Sequence, residues 1–167
     1  MHRLVGKRFR SLCRTFHFVL LSFGETISEE EIRLGNMVLH SSATAEYTLN
    51  LTTEWHIRHK DKILLGYGDL QIPYRDEMYD EDWDWIPTDR PDEESSVFDV
   101  LSRKIAGDLE GHQITRVEQA PWGDIVLFFS NGYVLETFVA VSRNQELWTL
   151  TDNKTGEATV FSCPDPA

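Results

Sequence analysis

At 167 residues the chain has room for one domain with a sizeable core, or two small halves sharing one. Hydrophobic content of 41% and charged content of 26% are those of an ordinary globular protein, and nine Phe, five Trp and five Tyr favour a sheet-rich core over a helix bundle. The net charge of −12 argues against nucleic-acid binding, whose footprint is basic, and suits steering towards a basic partner.

The N-terminus is basic and leads into an apolar run, residues 16–23, that contains His17 and ends at Gly24-Glu25. That run is far short of the roughly 20 residues a spanning helix needs, and no small-x-small cleavage site follows it. It reads as a strand of a cytoplasmic protein with no membrane partner. Residues 9–12 and 17–23 are short strand candidates. Residues 26–45 open on Ser28, a plausible N-cap, and three glutamates that a helix dipole would favour, with Gly35 as a stop. One or two helical turns are predicted there, then a short strand at 37–40. Residues 46–51 alternate cleanly, with Tyr47, Leu49 and Leu51 on one face. Residues 55–58 and 63–66 flank the polar turn His59-Lys60-Asp61-Lys62 as a hairpin.

Residues 75–94 hold ten acidic side chains against Arg75 and Arg90, a net −8 with Tyr79, Trp83 and Trp85 interleaved. Asp80, Asp82 and Asp84 alternate as calcium ligands do. An EF-hand loop starting at Asp80 would need glycine where Trp85 stands and glutamate where Pro91 stands. Two readings stay open: solvated carboxylates with tryptophans capping the core, or an anchor-and-steer surface for a basic protein. In the second, Tyr79, Asp80, Asp82, Trp83, Asp84 and Trp85 make the contact.

Residues 93–106 read as a helix, with Val97, Phe98, Leu101 and Ile105 on one face, Arg103-Lys104 in the last turn and Gly107 as the stop. Beyond it lie strands at 113–118, 125–129, 133–139, 146–151 and 158–162. The second and third join across Asn131-Gly132, the strongest hairpin signal, expected as a type I′ turn with positive φ at both residues. Residues 152–156 form a further turn.

An internal repeat runs through these elements. Leu4-Val5-Gly6-Lys7 has the form of Leu109-Glu110-Gly111-His112, and Val19 to Gly24 matches Leu127 to Gly132 through Ser-x-Gly. Tyr47-x-Leu49 matches Tyr133-x-Leu135, and Glu54-Trp55 corresponds to Glu146–Trp148, with an insertion at 26–45 in the first copy. The chain is thus a single domain, 1–167. Its halves, 1–74 and 107–163, are joined by acidic segment 75–94 and helix 93–106.

No catalytic, cofactor or metal motif stands out. Cys13 and Cys163 lie near opposite ends and read as two reduced thiols. His56 and His59 would point to opposite faces of a strand and so chelate poorly. Ser22 and Ser130 lie in hairpins rather than at a strand-to-helix elbow, and Gly66-Tyr67-Gly68 lacks the helix that a phosphate loop should open.

Leu109, Gly111, Ile114, Leu127, Phe129, Ser130, Gly132, Leu135, Glu146, Trp148 and Leu150 together resemble a class of small β-rich bacterial proteins of unknown function. Some of these are candidate immunity proteins that accompany polymorphic toxins. The resemblance implies a fold and supplies no catalytic residue. The expected fold is α+β, mostly antiparallel β, with two similar β units in a sandwich or partly open barrel and one main helix near 93–106. The expected function is a non-enzymatic acidic module that binds a basic protein, such as a nuclease toxin that it blocks. Alternatives are a homodimer formed through an exposed sheet edge and a hydrolase-type enzyme with a carboxylate/histidine site.

Overall fold

The computed structural model describes residues 1–15, 18–34, 37–74, 96–142 and 145–163, and for residues 29–42 the backbone alone. The described strands are β1 (Phe9–Thr15), β2 (Phe18–Leu34), β3 (Met37–Leu51), β4 (Glu54–His59) and β5 (Lys62–Gly66) in the first half. Those of the second half are β6 (Ile114–Gln119), β7 (Ile125–Phe129), β8 (Tyr133–Phe138), β9 (Glu146–Asp152) and β10 (Glu157–Ser162). Helix α1 (Val97–Leu109) lies between the halves, and short 3-10 turns occupy His2–Leu4 and Tyr67–Gln71. All strand pairs are antiparallel and make two five-stranded sheets that do not close into a barrel. The α+β sandwich expected from the sequence is the observed architecture.

The strand orders show how the repeat is built. The first sheet runs β1-β2-β3-β9-β10 and the second β6-β7-β8-β4-β5. Each sheet therefore takes three strands from one half and the closing hairpin from the other. The halves are related by a pseudo-twofold that leaves matched hydrogen bonds: Phe9 N donates to His112 O at 2.8 Å, and Ile114 N to Lys7 O at 3.0 Å. The same operation relates Gly24 N→Arg8 O (2.8 Å) to Ser130 N→Gln113 O (2.9 Å). Phe23 and Phe129, its equivalent, stack on one another with centroids 6.5 Å apart.

The register sorts side chains into rungs that cross each sheet. In the second sheet Val117, Leu127, Leu135, Ile57 and Leu65 form one inward rung, none more than 6% exposed. Its counterpart in the first sheet is Leu12, Leu21, Leu49, Leu150 and Thr159. The four leucines are buried, each contributing about 1.5–3 kcal/mol through removal from water, and Thr159 is exposed. Trp55 and Trp148 are likewise equivalent. Trp55 packs edge-on against Phe98 of α1, and Trp148 stacks on Phe161 of β10.

Helix α1 starts at a capping box: Ser96 Oγ accepts from Asp99 N, and the Asp99 carboxylate accepts from Ser96 N. Phe98, Ser102, Ile105 and Leu109 are its buried residues, and it packs on β1 and β5, the adjoining edges of the two sheets. Arg14 of β1 holds it through a paired bond to Asp99, 2.8 and 2.7 Å.

Four sequence expectations are corrected. The helical turn expected within 26–45 is strand: Thr26 to Leu34 pairs with Met37 to Ala45 in a hairpin arm. A single isolated helical turn is costly to nucleate, and a cross-strand ladder satisfies the same backbone. Helix α1 does not stop at Gly107 but continues to Leu109. Burying Leu109 outweighs the roughly 0.5–1 kcal/mol that a helical glycine costs. The Asn131-Gly132 turn is not type I′, because only Gly132 has positive φ, +86°. Gly132 N bonds Phe129 O at 3.0 Å, the three-residue hairpin with its glycine in the left-handed position. Finally, the Ser-x-Gly landmarks are out of step by two residues: Gly24 corresponds to Ser130, while Leu4-x-Gly6, Tyr47 and Trp55 match as expected.

Candidate protein-binding face

The partner-binding residues expected from sequence, Tyr79, Asp80, Asp82, Trp83, Asp84 and Trp85, lie outside the described residues, as do 93–95 of the expected helix. The described surface holds a different candidate, built by the second sheet. Strand alternation turns two rungs outward there, flanking the buried one. The first crosses Arg116, Phe128, Val134, Arg58 and Ile63, and the second Glu118, Val126, Glu136, His56 and Gly66.

Glu136 is the hub of this face. Its carboxylate accepts from Arg58 Nε at 2.8 Å and Nη2 at 3.0 Å, and lies 2.8 Å from His56 Nε2. The paired Arg58 bond, then the His56 contact, hold the Glu136 carboxyl below its ordinary 4.5 against the opposing effect of burial. Arg58 also donates to Lys60 O at 3.1 Å, a further tie on its guanidinium. Around the hub stand apolar groups that water reaches. Ile63 is 64% exposed and Phe138 43%, the latter's ring 4.8 Å from that of His56. The Arg116 guanidinium sits 3.8 Å over the Phe128 ring and bonds Glu118. The opposite face, on the first sheet, carries Ser11, Ser22, Thr48 and Thr151 on one rung and Cys13, Leu20, Asn50 and Thr149 on the next. Phe18, paired with Thr15 at the end of β2 and 39% exposed, also belongs to this face, while the arginine–carboxylate–histidine network lies on the other side.

Two polar clusters sit at equivalent hairpin ends. In the first, buried Glu46 accepts from Lys7 (2.8 and 2.9 Å) and Lys154 (3.0 Å), which lower its pKa, Lys7 foremost. In the second, Tyr133 donates to Asp108 at 2.8 Å and stacks on His59, while His112 Nδ1 lies 3.1 Å from Ser130 Oγ. Burial first, and Asp108 second, push the Tyr133 hydroxyl up to about 12. Because Asp108 bonds Tyr133 rather than His112, the Ser130, His112 and Asp108 side chains do not line up as a relay. His56 and His59 take separate partners on opposite faces, as the strand period dictates. Among the described residues no three His, Cys, Asp or Glu side chains converge where a metal ion could sit, and Cys13 and Cys163 are unpaired thiols. No described helix is long and apolar enough to cross a membrane.

The outward face was open to sequence reasoning. Parity in 54–59 and 133–138 puts His56, Arg58, Glu136 and Phe138 on one side. What the sequence lacks is the pairing of β4 with β8 across 80 residues, which brings those sets together. No family model matches the chain, and neither a curated protein nor a solved structure matches it.

Proposed function

We propose that the chain is a non-enzymatic protein-binding module, and that the outer face of the second sheet is its anchor. The observation that carries this is the ordered aromatic–arginine surface: Phe138 and Ile63 stand exposed around an Arg58–Glu136–His56 network already held in place. Interface hot spots are enriched in aromatic and arginine side chains, and a side chain fixed before binding loses less entropy on contact. The partner is a basic protein, because the chain carries −12 overall, of which −8 falls in residues 75–94. A toxin with a cationic, phosphate-seeking site fits that charge, which gives the module the role of an immunity protein.

The two parts make separable predictions for a partner captured by the tagged chain. Asp80, Asp82 and Asp84 replaced together by Asn should slow association and flatten its salt dependence, with stability nearly unchanged. Phe138→Ala should instead speed dissociation. If both variants bind with wild-type rates, neither region touches the partner and the proposal fails.

A further inference from the structure

The pseudo-twofold exposes one place where the halves are not alike. Helix α1 packs along the β1 and β5 edges, and Leu65 beneath it is fully buried. The equivalent edges are β6 and β10, where the 3-10 turn His2–Leu4 stands in place of the helix's last turn, tied to β10 by Arg3–Glu157 at 3.0 Å. Thr159, the counterpart of Leu65, is left exposed. So are Glu157, Ala158, Val160 and Ser162, which places five of the six β10 residues in water on both faces of the strand. Among the described residues β10 pairs with β9 alone. In an antiparallel strand every second residue turns its N–H and C=O away from its neighbour, so β10 presents a row of unpaired backbone groups.

Such an edge is ordinarily guarded by lysine, proline or a cover. The sequence Glu-Ala-Thr-Val-Phe-Ser has neither residue, carries its one charge at the first position, and exposes Val160 by 53%. We propose that this chain forms a homodimer by antiparallel pairing of β10 with β10 of a second copy, joining two first sheets into one of ten strands. The sequence is self-complementary in that direction. With Val160 opposite the second copy's Val160, Thr159 meets Phe161 and Ala158 meets Ser162, so opposed side chains share a face and each Glu157 stands clear of the other. A two-fold isologous contact closes on itself, which an edge otherwise open to any strand requires. This inference is independent of the binding face, which lies on the other sheet and stays free in the dimer.

Sedimentation velocity on the full chain, from low to high micromolar concentration, tests it. The unsubstituted protein should pass from its 19.3 kDa mass to twice that value. Each copy carries −12, so the dimer should tighten as salt is added. The double variant Thr159→Lys, Val160→Lys sets like charges opposite each other and should weaken dimerisation about tenfold. A wild-type chain that stays at 19.3 kDa throughout, or a lysine variant that dimerises equally well, overturns the proposal. Should the variant lose its fold, hydrogen exchange on the unsubstituted chain decides instead. Protection of the β10 amides must rise with protein concentration, and protection that ignores concentration rules the dimer out.

Discussion

Gly24 shows how tightly single residues are specified. Its φ is +88°, and a Cβ there would meet Glu46 Oε2 at 2.6 Å and Glu46 Cβ at 2.7 Å. Glycine leaves room for the carboxylate that binds Lys7 and Lys154. Gly24→Ala should cost about 2–4 kcal/mol, combining left-handed strain with displacement of a buried ion cluster. Gly156→Ala, also at positive φ but with open space around it, should lose only about 1–2 kcal/mol. Denaturant unfolding of the pair checks the difference; equal losses would mean that Glu46 simply moves aside. Titration gives a second residue-scale result. Tyr133 ionises in the fold near 12 against an ordinary 10.0. A folded value above the unfolded one means full stabilisation below pH 10, lost as the pH rises towards 12. Tyrosinate absorbance should show one hydroxyl titrating late, and Asp108→Ala should bring it earlier. Glu46 and Glu136 work in the opposite sense. Their folded values lie below the ordinary 4.5, so their contribution is complete above that pH and is lost on acidification through the folded values. Glu136→Gln should accordingly flatten the acid limb of the stability curve, measured by denaturant midpoints at successive pH values.

At the scale of elements, local signals were legible wherever one residue's conformation decides an outcome. The β7–β8 hairpin, the β4–β5 hairpin and α1 all follow from alternation, helical spacing and turn residues within a few positions of one another. The arm at Thr26 to Ala45 was not legible, because Ser28 followed by three glutamates has the form of a helix start while the ladder with Met37 to Ala45 lies across the turn. Gly107 misled for a similar reason: a glycine signals a helix end only if nothing beyond it is worth burying, and Leu109 is fully buried. This makes a prediction about α1. Gly107 is helical with open space around it, so Gly107→Ala should stabilise the protein by about 0.5–1 kcal/mol. Removing the cap with Ser96→Ala should cost about 1 kcal/mol. Thermal unfolding reads both, and a destabilised Gly107→Ala would mean that the helix does end there.

For the whole molecule, the pseudo-twofold sets two sheets of identical topology over one core. Each half lends its last hairpin to the other's sheet, so neither half can bury its inward rung alone. The sequence carries the landmarks of the repeat but not the exchange, since nothing in a strand's own residues names its neighbour in the sheet. The same limit applies to the proposed binding face, whose parts come from β4 and β8. The two outer faces differ: the first carries mainly small hydroxyl and amide groups, with Leu20 and Phe18, and the second arginine, aromatic and carboxylate groups. A binding role assigned to the second face uses that asymmetry. The most direct measurement is affinity capture from the native lysate, read by quantitative mass spectrometry, with three baits in parallel. These are the wild-type chain, the Asp80/Asp82/Asp84→Asn variant and Phe138→Ala. A basic protein held by the wild type and depleted from both variants is the predicted result. Identical eluates from all three would contradict a binding role for either region.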